Sequence, residues 1–212
     1  MRLYITPGSP YARIARIVVL EKQLENQVEI VVAQTRSLDS PYYRIAVSGR
    51  VPYLVRDDGP GLEESSVICR YLDHLNGEPK FDLPTGEGVW EALRLGALAS
   101  SLMDGLSVWL RESRRPEHEQ SPDIIRHEMD RARRLVDQWE SEIDCPTMQG
   151  NLNLAQIVLV CALGLEARNR DFHWREGHPR LRAWFDRLAA RPSIAATIPP
   201  EAVERGRARP DR

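Results

Sequence analysis

The chain has 212 residues, of which 42% are apolar and 28% are charged, and its formal net charge is −2. This is the composition of an ordinary globular protein, and it gives no reason to expect nucleic acid or an anionic membrane surface as a partner. The N-terminal sequence lacks the apolar core of a secretory signal, and no apolar run reaches the roughly 18 residues of a membrane span, so we expect a cytoplasmic protein.

Residues 1–76 have the pattern of a mixed α/β domain. The triplet Asp57-Asp58-Gly59 is a hairpin turn signal, so the predicted order is β-α-β followed by β-β-α. Short apolar or β-branched runs predict strands at residues 3–5, 28–32 and 51–55. Apolar residues at helical spacing predict helices at residues 11–22 and 65–75.

The rest of the chain is predicted to be all-helical. Residues 77–88 are rich in glycine, proline and acidic residues, which is typical of an interdomain linker, and residues 89–212 would form the helical domain. The charged tail GRARPDR is predicted to be disordered. Periodic apolar residues predict helices at residues 90–114, 123–143, 153–167 and 179–190.

The cysteines and histidines do not suggest a metal site. Cys69, Cys145 and Cys161 are widely separated and odd in number, which favours reduced thiols over a disulfide framework. The sequence has no CxxC pair and no His/Cys cluster at zinc-ligand spacing, so no metal is expected.

The first candidate motif runs from Thr6 to Arg13, with the sequence TPGSPYAR. Ser9 lies between a predicted strand and the start of a predicted helix, where amide N–H groups and the helix dipole stabilise an anion. If that anion is a thiolate, its pKa falls, and a serine hydroxyl can donate a further hydrogen bond to the sulfur. The alternative is that Ser9 only caps the helix, with Pro10 as its first residue.

The second candidate motif is Arg50-Val51-Pro52-Tyr53-Leu54. A proline in an apolar strand removes a ladder donor, so Pro52 should lie at a sheet edge or at the start of a strand. A cis bond here would leave the preceding backbone free to pair with an extended peptide ligand. A simple edge-strand proline is an equally good interpretation.

The third candidate motif places acidic and hydroxyl residues directly before a predicted helix, in the sequence LEESSVI. Ser65 or Ser66 would cap that helix, and its free N–H groups could bind a carboxylate. Glu64 could then hold an ammonium group, so that the pair would suit the amino-acid end of a ligand. A helix cap with an acidic neighbour is the alternative.

A fourth motif, Asn153-Leu154-Ala155-Gln156, opens an apolar helix. An N-cap residue followed by Gln three positions later has the form of a capping box. We interpret it as structural.

In this order and spacing, the motifs resemble those of the cytosolic glutathione transferase superfamily, and in particular its bacterial members with a catalytic serine. The resemblance extends through the helical half of the chain, where LMDGLSVWLRESRRP, NLNLAQI and PRLRAWFDRLAARPSI are similar to family segments. It implies a thioredoxin-like N-terminal domain, an all-α C-terminal domain and a homodimer.

The resemblance also implies roles for individual residues. Ser9 would donate a hydrogen bond to the glutathione thiolate, and Pro52 would be the family's cis-proline. Three segments would bind the tripeptide: the Val51 backbone at its cysteinyl part, Glu64 and Ser65 at its γ-glutamyl end, and Arg50 near its glycine carboxylate.

The sequence departs from the family pattern at three places. Ser48-Gly49-Arg50 stands where many members have Asn-Pro, which weakens the assignment of Arg50. Thr6 is a second hydroxyl that could share or replace the role of Ser9. Asn153 and Gln156 replace the usual Ser or Thr and Asp, a change expected to affect helix stability and not chemistry.

The resulting hypothesis is a detoxifying transferase that uses glutathione as co-substrate, activates its thiol as a thiolate, and directs it at a small hydrophobic electrophile. Two alternatives stay open. One is a protein-interaction module with the same fold and no turnover, and the other is a glutathione-dependent isomerase. The sequence does not name the electrophile, because fold does not determine substrate.

Overall fold

The computed structural model describes residues 1–81 and 83–199. Within these residues the chain forms two compact units, of which the first comprises residues 1–81 with 193–199, and the second comprises residues 83–192. The domain boundaries expected at residues 76 and 88 stay a prediction. The predicted disordered tail, residues 206–212, lies outside the described residues.

The first unit is a four-stranded mixed sheet with two helices. Its elements are β1 (Arg2–Ile5), α1 (Pro10–Glu21), β2 (Glu29–Val32), β3 (Tyr53–Val55), β4 (Leu62–Glu63) and α2 (Ser65–Asp73), and a short 3-10 helix (Pro41–Arg44) precedes β3. The strand order is β2-β1-β3-β4. β1 pairs parallel to β2, as a connection through a helix allows, and the pairs β1–β3 and β3–β4 are antiparallel.

The register of the sheet follows from its apolar pattern. Leu3 of β1 lies between Ile30 of β2 and Leu54 of β3, and both Leu3 and Leu54 are completely buried. The two helices pack against each other, and their apolar positions complete this core. The helical residues with no exposed surface are Ala12, Ala15, Ile17, Val18, Ile68 and Leu72.

The second unit is all-helical, as predicted. Its helices are α3 (Gly88–Glu112), α4 (Pro122–Glu142), α5 (Pro146–Gln149), α6 (Leu154–Leu163) and α7 (Pro179–Ala189). The short helix α8 (Pro192–Ala195) begins at the last residue of this unit, and its other residues belong to the first unit. The main packing is of α3 against α6 and α4. Because α6 is apolar on all sides it forms the centre of the unit, where Leu159 and Val160 are fully buried. None of the helices in the described residues is long and apolar enough to cross a membrane.

Candidate functional site

Ser9 is the N-cap of α1, as predicted from Ser9-Pro10. Its side-chain oxygen accepts a hydrogen bond of 3.2 Å from the amide of Ala12, and its carbonyl accepts one of 3.0 Å from the amide of Arg13. Its own amide donates to the carbonyl of Thr6 at 3.0 Å. The oxygen of the hydroxyl is therefore used in capping, and its proton has no acceptor among the described residues.

The Val51–Pro52 peptide bond is cis, and Pro52 is buried directly before β3 begins at Tyr53. The strand is thus two residues shorter than the predicted 51–55, because Pro52 has no N–H to give to a ladder. No turn or loop hydrogen bond in the described residues uses the backbone of Val51. Its peptide groups lie beyond the last sheet pair of β3, Tyr53 with Tyr4.

Glu64 lies between β4 and α2 as the N-cap residue of the helix, and its backbone φ is +72°. This is the left-handed region that residues with a side chain rarely adopt, and such strain is concentrated at ligand sites. The expectation that Ser65 or Ser66 caps α2 was wrong. The helix begins one residue earlier, so that Ser65 is its first helical residue and its hydroxyl lies 3.3 Å from the carboxylate of Glu64.

Among the described residues, no side chain caps the N-terminus of α2. The N–H groups of a first helical turn have no acceptor within the helix, and here no side-chain oxygen among the described residues accepts from them. Ser65 is buried while Glu64 is exposed. The uncapped amides and the adjacent carboxylate can therefore receive a ligand that carries both a negative and a positive group.

The sheet register brings the segments around Ser9, Val51-Pro52 and Glu64-Ser65 to the same end of the sheet. Tyr4, Tyr53 and Glu63 lie side by side on β1, β3 and β4. The turn to Ser9 follows β1, Val51-Pro52 precedes the antiparallel β3, and Glu64-Ser65 follows β4. All three consequently emerge at the same end of the sheet.

Arg50 behaves differently from the other predicted residues. Its side chain is exposed, and its guanidinium has no partner among the described residues, whereas its backbone is fixed on both sides. The hydroxyl of Tyr42 donates to the carbonyl of Arg50, and the amide of Arg50 donates to Oγ of Ser48 at 3.2 Å. Ser48 in turn donates to the carboxylate of Glu63 at 2.5 Å. This network ties the segment before the cis bond to β4.

Tyr42 and Ser48 were not among the predicted site residues. Tyr42 lies in the 3-10 helix, packed with Tyr4, Ala33 and Ala46. Burial first, and then the neighbouring Tyr53, Glu63 and Tyr4, raises the pKa of Tyr42 to about 12, so the phenol stays protonated and remains a donor. The signal for this helix was Ser40-Pro41, the same pair that begins α1.

Gly49 explains one departure of this sequence from the family pattern. Its φ is +64°, and a Cβ at this position would lie 2.6 Å from Cε1 of Tyr43. Both the conformation and the space therefore require glycine between Ser48 and Arg50.

Among the described residues, no group of three or more His, Cys, Asp or Glu side chains could hold a metal ion. The cysteines are not in disulfides, and two of them, Cys69 and Cys161, are buried.

Comparisons with known proteins identify the family. The family model described as glutathione S-transferase, N-terminal domain, matches residues 3–80, and the model of the C-terminal domain matches residues 122–187. A GST-like protein of Escherichia coli (strain K12), YibF, itself uncharacterized, is 31% identical over 95% of this chain and 100% of its own length. Glutathione S-transferase 2 of Saccharomyces cerevisiae is 27% identical over 92% of this chain and 88% of that protein.

A solved structure agrees with this assignment. The crystal structure of a glutathione transferase family member from Pseudomonas fluorescens Pf-5, with bound glutathione, is 32% identical to this chain and has a TM-score of 0.85. The match covers 94% of this chain and 98% of that one. The chain belongs to the glutathione S-transferase family.

Proposed function

We propose that this protein is a glutathione transferase that uses Ser9 to stabilise the thiolate of bound glutathione. The main observation behind the proposal is that the Ser9 hydroxyl lies at the same end of the sheet as the uncapped N-terminus of α2 beside Glu64. The relative from Pseudomonas fluorescens, which has glutathione bound, supports the choice of ligand.

In this proposal the tripeptide lies across the three segments. The γ-glutamyl carboxylate accepts from the amides of α2, beginning with that of Ser65, and its ammonium pairs with Glu64. The backbone of Val51 pairs with the cysteinyl residue as an added strand. Arg50 is assigned to the glycine carboxylate, because its guanidinium is exposed and has no partner among the described residues.

Ser9 then acts on the sulfur. Its oxygen already accepts from Ala12, so its proton is available to a ligand. A thiolate at this position would gain that hydrogen bond together with the positive end of the α1 dipole. Lowering the thiol pKa by about two units corresponds to roughly 2.7 kcal/mol of thiolate stabilisation. The thiolate attacks an electrophilic carbon of a small hydrophobic substrate, and the carbon–sulfur bond forms as a leaving group such as chloride departs with its bonding electrons.

The proposal includes a cytoplasmic homodimer with a role in detoxification, which rests on the family resemblance. Its alternatives are a glutathione-dependent isomerase and an interaction module without turnover. They are distinguished by what the bound thiol does, because all catalytic versions need a reactive thiolate and a module does not.

The first test is calorimetry with glutathione. We expect micromolar to millimolar binding that is lost in Glu64→Ala and kept in Glu25→Ala. Glu25 is an exposed acidic residue in the turn before β2, at the opposite end of the sheet, and is a matched control. No binding by the unmodified protein would exclude the proposal.

The second test is ultraviolet titration of the bound thiol, followed by a screen of electrophiles such as activated aryl chlorides. A thiol pKa below that of free glutathione supports activation. A pKa equal to that of free glutathione, together with intact binding, would leave a module that binds glutathione without activating it.

A further inference from the structure

The segment of residues 193–199 belongs to the first compact unit, although the whole helical unit precedes it in sequence. We call this segment the C-terminal strap. Its residues Ser193, Ile194 and Thr197 are buried, and Thr197 is only 1% exposed. The strap is therefore part of the packing of the unit that holds Ser9.

The main contact of the strap is with Arg13 on α1. The guanidinium donates from Nε to Oγ1 of Thr197 at 3.3 Å and from Nη2 to the carbonyl of Ile194 at 3.1 Å. Arg13 is 7% exposed, and no carboxylate pairs with it among the described residues. Burying a charged group is costly unless it is hydrogen-bonded, so the acceptors of the strap allow α1 to pack in this position.

Two further contacts extend along α1. Nη1 of Arg16 donates to the carbonyl of Thr197 at 3.4 Å. At the last residue of the helix, the hydroxyl of Ser193 donates to the carboxylate of Glu21 at 2.6 Å. The strap therefore holds α1 from its first turn to its end.

This contact reaches Ser9 through one hydrogen bond. The amide of Arg13, whose side chain is fixed by the strap, donates to the carbonyl of Ser9. A catalytic donor has to be held to within about half an ångström of its productive position. We propose that Arg13 and Thr197 are positioning residues that fix the Ser9 hydroxyl for the reaction. This inference rests on the proposed function.

Amide hydrogen exchange tests the contact without using activity. Thr197→Val removes one of the two acceptors of Arg13 at nearly constant shape, whereas Thr197→Ser keeps it. Arg13→Lys keeps the charge but loses the planar fork that reaches two acceptors. We expect the amides of Ala12 and Arg13 to exchange about tenfold faster in Thr197→Val and Arg13→Lys than in Thr197→Ser, the factor for one lost hydrogen bond.

Exchange at Leu159 and Val160 in α6 should be the same in all variants, because these residues belong to the second unit. Equal exchange of the α1 amides in the valine and serine variants would overturn the inference. So would an increase that is equally large in α6, since it would mean general destabilisation.

The kinetic test is a double-mutant cycle. Thr197→Val should lower kcat about fivefold with the KM for glutathione changed less than about twofold, and should shift the pH profile toward the pKa of free glutathione, while Thr197→Ser stays near wild type. In a Ser9→Ala background, Thr197→Val should have no further effect. Additive effects would overturn a role through Ser9.

The two proposals fail in different ways. If the unmodified protein does not bind glutathione, the proposed function fails. The exchange difference between the valine and serine variants then still supports or overturns the link between the strap and Ser9.

Discussion

The hydroxyl of Tyr42 donates a hydrogen bond to the carbonyl of Arg50, the residue that precedes the Val51–Pro52 cis bond. Ser48 holds the amide of the same residue. The backbone beside Val51 is thus fixed by protein contacts alone. A ligand that pairs with it has little ordering entropy to overcome, which is the physical basis of preorganised binding.

Tyr42→Phe removes this hydrogen bond with little change in shape. We expect the free energy of unfolding to fall by about 1 kcal/mol and the affinity for glutathione to fall by about fivefold, because the Arg50 carbonyl loses its partner. Urea unfolding and calorimetry measure the two effects. Tyr43→Phe is the control, since the Tyr43 hydroxyl accepts from the amide of Arg36 at 2.8 Å and not from Arg50. Unchanged affinity in Tyr42→Phe would show that this network does not prepare the site.

The same variant predicts a pH effect. The pKa of Tyr42 is raised from 10.0 to about 12, so folding favours the neutral phenol. The stabilisation from the neutral phenol is fully present below about pH 10, where the phenol is neutral in the unfolded chain as well. It is lost as the pH rises toward about 12, and the free energy of unfolding falls by up to about 3 kcal/mol. Wild type should therefore be more stable than Tyr42→Phe at neutral pH and less stable above about pH 11. Parallel stability curves across this window would contradict the raised pKa.

Glu64→Gly should raise the stability of the protein and remove its glutathione binding. Glycine adopts a φ of +72° without the strain that Glu64 bears, but it also has greater freedom in the unfolded chain. After both effects, we expect the free energy of unfolding to rise by about 1 kcal/mol. Loss of the carboxylate should abolish detectable glutathione binding. Thermal unfolding and calorimetry on one preparation measure both.

Gln23→Gly is the matched control for this prediction. Gln23 is exposed, has a φ of +54° just after α1, and is not part of the site. The control should gain stability while binding glutathione as wild type does. Glutathione binding that survives in Glu64→Gly would remove the carboxylate from the proposed site.

Much of the fold could be predicted because its signals are local. The Ser-Pro pair at Ser9 predicted both the cap and the start of α1, and the capping box of Asn153 and Gln156 is present with both bonds at 3.0 Å. Short apolar runs and helical periods gave the strands β1 to β3 and the longer helices to within a few residues, whereas the four-residue helices α5 and α8 were not predicted. These features depend on neighbours in sequence, which a pattern records.

The parts that could not be predicted depend on distant residues. The bond from Tyr42 to Arg50 exists because a 3-10 helix packs on the sheet, and apolar periodicity does not mark so short an element. The strap joins Thr197 to Arg13, which is 184 residues earlier in the sequence. From the helix pattern alone, the guanidinium of Arg13 is expected to be exposed to solvent, and only the tertiary fold shows that it is buried.

Variants of Ser9 can separate capping from catalysis. Ser9→Asp keeps an N-cap acceptor for Ala12 and should retain or raise stability, but it offers no proton and repels a thiolate, so turnover should be lost. Ser9→Ala should lose about 1 kcal/mol of stability and lower turnover well over tenfold while glutathione still binds. Thermal unfolding and steady-state kinetics measure the two effects.

Ser9→Thr keeps both the cap and the hydroxyl proton and should retain turnover. Turnover that persists in both Ser9→Ala and Ser9→Asp would move the donor role to Thr6. That residue lies within the same turn, where its carbonyl accepts from the amide of Ser9.

Gln156→Glu tests whether the α6 motif is purely structural. The side-chain oxygen of Gln156 accepts from the amide of Asn153, and its Nε2 donates to the carbonyl of Met148 at 2.9 Å, with the residue only 1% exposed. A carboxylate keeps the first bond and places a buried charge against a carbonyl, which we expect to cost about 3 kcal/mol at neutral pH.

Because burial favours the neutral acid, the stability difference between Gln156→Glu and wild type should shrink as pH falls toward about 4, where the unfolded carboxyl is protonated as well. Gln27→Glu, at an exposed glutamine, should cost less than about 0.5 kcal/mol at any pH in this range. At a temperature where both variants are folded, glutathione affinity and turnover should equal those of wild type. A selective loss of turnover in Gln156→Glu would show that this helix start acts in the chemistry and not only in folding.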